Sequence, residues 1–204
     1  MYIASFHRHV TALIAMGYSR LDHPAYKSCE EPEITGELVD GMRKAMEDRG
    51  APFWVSHYSI HDDPPLMDGE RRGRRRRRVD IEFERVGRGK RPRFQCEAKR
   101  LCEHSTEAEY CGEQGLGRFI SGKYAAGACE AGMLGYVQSM GECAWARRIE
   151  SRLNKGARQY RVCSAGKWER FTCSCGLPFT YRSEHNRMGR LGSIEIVHAL
   201  LRFF

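Results

Sequence analysis

Two stretches of the chain, residues 78–83 and 93–101, alternate apolar and polar positions with a period of two. That period predicts a pair of half-buried strands. The segment between them carries Gly87, Gly89 and Pro92, which is the composition of a hairpin loop. In the second strand Phe94, Cys96 and Ala98 point to one face, and Gln95, Glu97 and Lys99 to the other. Pairing of the two arms brings Asp80 to the same place. Two carboxylates and an ammonium converging on a sheet rim suit a divalent cation and a phosphodiester.

The spacing of Ile3, Phe6, Val10, Leu13 and Ile14 predicts an amphipathic helix over residues 3–17. A second helix starts between Ser28 and Thr35, with Ser28 and Glu31 spaced as a capping box and Pro32 in the first turn. Its stripe is Ile34, Leu38, Met42, Ala45 and Met46, Gly50 ends it, and Glu37 lies at the flank of the stripe. Residues 52–60, aromatic and β-branched, read as a strand that the 62–65 Asp-Asp-Pro-Pro turn breaks. Residues 103–112 read as a polar loop and 117–125 as a short helix. Residues 128–140, with Ala131, Leu134, Gly135 and Val137, read as a buried helix, with Lys123, Tyr124 and Gln138 in the same covering layer. Residues 145–156 form a helix with a basic face, segments 158–163, 168–174 and 178–183 have strand character, and Ile194, Val197, Leu201 and Phe204 make a closing helical stripe. No repeat or linker divides the chain. The expectation is one domain over 1–204: a helical extension to residue 30, a core over 31–140, and C-terminal strands and helix over 141–204.

Composition adds a location for the charge. The net charge is +8, and seven arginines fall between positions 71 and 78, so the rest of the chain carries only about +1. Arg71, Arg72, Arg74, Arg75, Arg76, Arg77 and Arg78 pair well with phosphates. The competing readings are a solvated connection or a nuclear-import address. Nine cysteines, an odd number at irregular spacing, argue against a disulfide framework, which together with the absence of an export signal at the N-terminus points to a reducing cytoplasm. No apolar run approaches the roughly 20 residues that span a bilayer.

The order helix, strand, strand with Asp80, strand with Glu97, Ala98 and Lys99 resembles the PD-(D/E)XK nuclease superfamily, with Val79 where the family name has proline. Segments 34–38, 96–101 and 132–137 are also similar to uncharacterised bacterial members associated with defence against foreign DNA. The resemblance implies an α/β, restriction-endonuclease-like core: a central mixed β-sheet of four or more strands flanked by helices. It implies a Mg²⁺-dependent nuclease, with Mn²⁺ able to substitute, acting on DNA. Asp80, Glu97 and the Ala98 carbonyl would hold the metal, Lys99 would position the attacking water, and a helix glutamate would assist. Glu37 is the nearest match for that glutamate, with Glu31 and Glu33 as rivals. The arginine segment and Lys123 would contact nucleic acid, and a homodimer or a sensor or motor partner would complete the assembly. Two alternatives stand beside it. One is a catalytically silent nucleic-acid adaptor of the same fold. The other is a zinc-stabilised module built on Cys163, Cys173, Cys175 and His185.

Overall fold

The structure, a computed structural model, describes residues 3–66, 76–87, 91–163, 168–171 and 176–204. Among the described residues, five α-helices, α1 (Ile3–Tyr18), α2 (Glu31–Glu47), α3 (Glu107–Cys111), α4 (Gly117–Ile120) and α5 (Glu142–Lys155), accompany seven strands. The strands are β1 (Tyr58–Asp62), β2 (Ile81–Arg85), β3 (Arg93–Leu101), β4 (Glu130–Val137), β5 (Glu169–Arg170), β6 (Thr180–Asn186) and β7 (Ser193–Arg202). They form one mixed α/β sheet in the order β1-β2-β3-β4-β7-β6-β5. β3, β4 and β7 run parallel at its centre, and the outer pairs are antiparallel.

Each face of the sheet carries its own apolar cluster. Phe94, Cys96 and Ala98 of β3 pack with Val10 and Leu13 of α1 and Ile34, Leu38 and Met42 of α2. Leu101, Met133 and Leu200 pack on the other side with Tyr110 of α3, Phe119 of α4 and Trp145, Ile149 and Leu153 of α5. The hairpin predicted at residues 78–101 is present, with Ile81 opposite Cys96 and Phe83 opposite Phe94. Its first arm enters the ladder only at Ile81, so Asp80 sits just before the strand.

Several elements depart from the sequence expectation, each for a readable reason. Residues 128–140 contain strand β4 and not a buried helix. A parallel strand buried on both faces has no polar alternation, and its small residues mimic helical spacing. The closing stripe at Ile194, Val197 and Leu201 is strand β7 for the same reason. The aromatic segment after Pro52 winds as a 3₁₀ turn (Phe53–His57) before β1 begins. Residues 158–163 form turns touching the sheet at one bridge, Val162 to His185, and the 103–112 loop contains α3. The capping box does not form: Glu30 occupies the N-cap of α2 without a side-chain cap.

Gly132 shows how closely β4 is packed. A Cβ there would lie 2.5 Å from Cys96 Sγ and 2.9 Å from Phe94 Cε1. Gly132→Val is expected to destabilise the fold by about 2–3 kcal/mol through overpacking, read as a lower urea midpoint with an unchanged m-value.

β6 and β7 also carry a buried polar chain. Tyr110 Oη and His198 Nδ1 lie 2.9 Å apart, His198 Nε2 and Ser183 Oγ 2.8 Å, Ser183 Oγ and His185 Nε2 2.7 Å, and His185 Nδ1 and the Tyr160 carbonyl 2.8 Å. His185 therefore has both ring nitrogens engaged inside the fold. Of the candidate zinc set, Cys163 is half-buried, and Cys173 and Cys175 lie outside the described residues.

Candidate active site

Antiparallel pairing of β2 with β3 sets Asp80 beside the middle of β3, where Glu97, Ala98 and Lys99 follow one another. The Ala98 N–H donates to Asp80 Oδ2 at 2.6 Å, which fixes one oxygen of that carboxylate. Glu97 projects to the face of the sheet opposite Ala98 and is only 1% exposed. Its Oε1 meets Lys99 Nζ at 2.9 Å and its Oε2 meets Arg118 Nη1 at 3.2 Å.

The helix carboxylate that reaches this cluster is Glu31, not Glu37. Glu31 Oε1 accepts from Lys99 Nζ at 2.8 Å, and its Oε2 accepts from the Arg100 N–H at 3.3 Å. Position explains the choice: Glu31 is the first residue of α2, and its free N-terminal end overhangs β3. Glu37 lies farther along on the exposed side, hydrogen-bonded to Tyr26, and Glu33 is exposed beside the Cys29 thiol. Of the three candidates, the rival Glu31 and not the nearest match Glu37 occupies the position.

Lys99 Nζ also donates to the Ala98 carbonyl at 2.5 Å. One ammonium thus lies among Glu97, Glu31 and that carbonyl. Burial alone would lower the lysine, but Glu97 and Glu31 outweigh it and hold the ammonium above its usual range. Burial raises Asp80 above the ordinary carboxylate value, offset in part by the Ala98 N–H and Lys99. Glu97 is pushed up to about 7 by burial first and by Asp80 second.

Arg118 is a member of the site that the sequence reading did not single out. It lies near Glu97 only because α4 folds back over the sheet. Tyr124 stacks beneath its guanidinium, 4.9 Å from ring centroid to Cζ, and Gln114 Oε1 accepts from Nη2 at 2.6 Å. The Tyr124 hydroxyl also contacts Arg118 and donates to the Arg78 carbonyl, tying the site to the end of the arginine segment. Gln138, by contrast, only satisfies the backbone carbonyls of Tyr26 and Cys29.

Arg71, Arg72, Arg74 and Arg75 lie outside the described residues. Arg78 is engaged with Asp63 at 2.5 Å. Arg77 and the exposed Lys123 line a cleft of about 790 Å³ that begins at Gln95, two residues before Glu97. The described residues hold no group of three or more His, Cys, Asp or Glu side chains placed to bind a metal, and no helix long and apolar enough to cross a membrane.

The chain matches no family model, no curated protein and no solved structure.

In metal-free protein, the infrared carbonyl band of protonated Glu97 is expected to disappear near pH 7 and to be absent from Glu97→Gln. Because the folded value lies above the unfolded one, folding holds the proton more tightly between about pH 4.5 and 7. Glu97 therefore favours the folded state less as pH rises through that window.

Proposed function

We propose that the protein is a metal-dependent nuclease of the PD-(D/E)XK type, with a restriction-endonuclease-like core, that hydrolyses phosphodiester bonds. The observation that carries the reading is the cluster at one sheet position: Asp80, Glu97 and Glu31 gathered about the Lys99 ammonium. Three carboxylates there face two cations, Lys99 and Arg118, in a largely buried site. Two of these carboxylates with one backbone carbonyl, fewer than three metal-binding side chains, offer the hard oxygen donors that Mg²⁺ or Mn²⁺ takes when waters complete the shell. Asp80, Glu97 and the Ala98 carbonyl would hold the ion. When bound, it polarises a phosphoryl oxygen and lowers the pKa of a coordinated water.

The remaining roles belong to the chain. Lys99 holds the attacking water beside the carboxylates and offsets the charge that develops on the phosphoryl oxygens. Glu31 fixes the Lys99 ammonium. Arg118, held by Tyr124 and Gln114, orients Glu97 and adds a second positive charge at the scissile phosphate. The arginines of residues 71–78 grip backbone phosphates, giving affinity without base readout. DNA as the substrate and a role in defence rest on the likeness of segments 34–38, 96–101 and 132–137, and are proposed on that ground alone.

A second reading is favoured by one observation: Glu97 and Asp80 are already engaged by Lys99, Arg118 and the Ala98 N–H. On that reading the protein is a silent nucleic-acid adaptor. Incubating it with plasmid, linear duplex, single-stranded DNA and RNA, with and without Mg²⁺, separates the two. The nuclease is expected to cleave at least one substrate in a Mg²⁺-dependent way that Asp80→Asn abolishes. Salt-sensitive binding with no cleavage by the wild type would establish the adaptor.

A further inference from the structure

The cleft that begins at Gln95 has a construction that the catalytic cluster does not require. Phe6, Leu66 and Phe94 give it an apolar floor, Arg77 and Lys123 line it as cations, and Glu130, 3.6 Å from His7 Nδ1, is its one carboxylate among the described residues. Gln95 stands about 7 Å along β3 from Glu97, at two residues of strand rise.

One wall, at residues 125–128, is held in place from both sides. From β3, Gln95 Oε1 accepts the Ala125 N–H at 2.8 Å. From behind, Arg187 donates to the Ala125 and Ala126 carbonyls at 2.9 and 3.4 Å, and to the Leu191 carbonyl at 2.5 Å. Ala125 itself adopts a left-handed conformation, φ 50°, at a residue that is not glycine. Strain of that kind persists where surrounding bonds over-determine it, and it gathers at ligand clamps.

Arg187 is the second unusual feature. It is 6% exposed, and its Nε has no hydrogen-bond partner among the described residues. Among the described residues its hydrogen bonds go to backbone carbonyls, and none of these partners is a carboxylate that would neutralise the guanidinium. Burial lowers Arg187 below its usual value, and its bonds to the Ala125 and Ala126 carbonyls place the guanidinium behind the cleft wall. A buried cation of this kind raises the positive potential of the adjoining cavity.

An apolar floor, cations in the lining and behind the wall, and a volume within the range of small-ligand sites match one nucleotide: an apolar base face with a phosphate. Bases of a continuous duplex are stacked inward, so only an unpaired, terminal or flipped base can enter. We propose that the cleft receives an unpaired nucleotide of the substrate strand, so that the protein selects single-stranded segments or frayed ends beside the scissile phosphate. This rests on the nuclease reading for the word substrate, while the cleft's affinity stands by itself.

The test is fluorescence anisotropy in EDTA, at one fixed salt concentration, with a labelled oligothymidine and a blunt hairpin duplex of equal charge. Ala126→Trp adds bulk at an exposed lining position. Gly127→Trp adds bulk at a lining position whose Cβ direction is open. The wild type is expected to bind the single strand about tenfold more tightly than the duplex. Each variant is expected to lose about tenfold for the single strand and to keep its duplex affinity within about twofold. Duplex binding thereby reports that the variants are folded. Equal wild-type affinity for the two probes, or single-strand affinity unchanged in both variants, overturns the proposal. Cleavage assayed separately with Mg²⁺ distinguishes the two readings. Cleft-dependent binding without cleavage defeats the nuclease alone, and cleavage without single-strand preference defeats the cleft assignment alone.

Discussion

Lys99→Met is expected to lower Mg²⁺-dependent cleavage by about 100- to 1000-fold or more and, separately, to cost about 2–3 kcal/mol of stability. The two losses have different causes. Glu97 is 1% exposed and faces Lys99 at 2.9 Å, so removing the ammonium leaves it either a buried charge with Arg118 as its remaining cation or protonated at the expense of that pair. Breaking a fully buried pair costs roughly 3–5 kcal/mol. The figure is smaller here because the side chains of Lys99 and Glu31 retain 13% and 24% of their exposure. A second substitution separates structure from chemistry. In Lys99→Met/Glu97→Gln the orphaned charge is gone, so most of the lost stability should return while cleavage stays absent. Thermal melts and plasmid assays on the two variants check both halves. Wild-type rates in Lys99→Met would remove lysine from the mechanism, and full recovery of cleavage in the double variant would reduce it to a structural ion pair.

The second large effect concerns the polar chain beneath β6 and β7, far in sequence from the hairpin. The Tyr160 carbonyl can only accept, so His185 Nδ1 carries the proton and its Nε2 is an acceptor. Ser183 must then donate to His185 and accept from His198 Nε2–H, which leaves His198 Nδ1 to accept from the Tyr110 hydroxyl. Every member has a fixed direction, and neither imidazole has room for a second proton. Burial accordingly lowers both histidines, and His185 lowers His198 further. The folded values lie below the unfolded value near 6.5, so the unfolded chain binds protons first. The stabilisation is present above pH 6.5 and falls as pH drops, by up to about 1.4 kcal/mol per histidine per pH unit. Glu97 acts in the opposite sense over part of this range, so the slope should be steepest in a Glu97→Gln background. Urea unfolding at a series of pH values measures it, and a flat profile in that background would refute the neutral chain. Ser183→Ala interrupts the chain in its middle, orphaning a donor on one side and an acceptor on the other, at a cost of about 2–3 kcal/mol.

What could be read from residue patterns depended on whether burial was one-sided. β3 shows apolar Phe94, Cys96 and Ala98 alternating with polar Gln95, Glu97 and Lys99, and its strand character and facing survive in the structure. The helices α1, α2 and α5 present one apolar stripe each and were equally legible. β4 and β7 are covered on both faces, and there the signal that separates strand from helix vanishes. The site divides in the same way. Asp80, Glu97 and Lys99 belong to one hairpin, so local spacing was enough to bring them together. Glu31 and Arg118 arrive from α2 and α4, and their places depend on how those helices end against the sheet. His185 and His198, 13 positions apart, meet through Ser183 only because β6 pairs with β7 in the observed register.

The strand order has a consequence for how the molecule is made. The last strand, β7, lies between β4 and β6. β4 is complete at Val137 and its neighbour begins only at Ser193. On a ribosome adding about 5–20 residues per second, the intervening stretch takes roughly 3–11 seconds. Through that interval one edge of β4, rich in Ala131, Met133, Leu134, Tyr136 and Val137, has no strand to pair with. The residues proposed for catalysis are all synthesised by then, yet the centre of the sheet that supports them is still open. The nascent chain therefore passes through a stage in which an exposed apolar strand edge favours self-association, and a chaperone that shields that edge would raise the yield of folded protein.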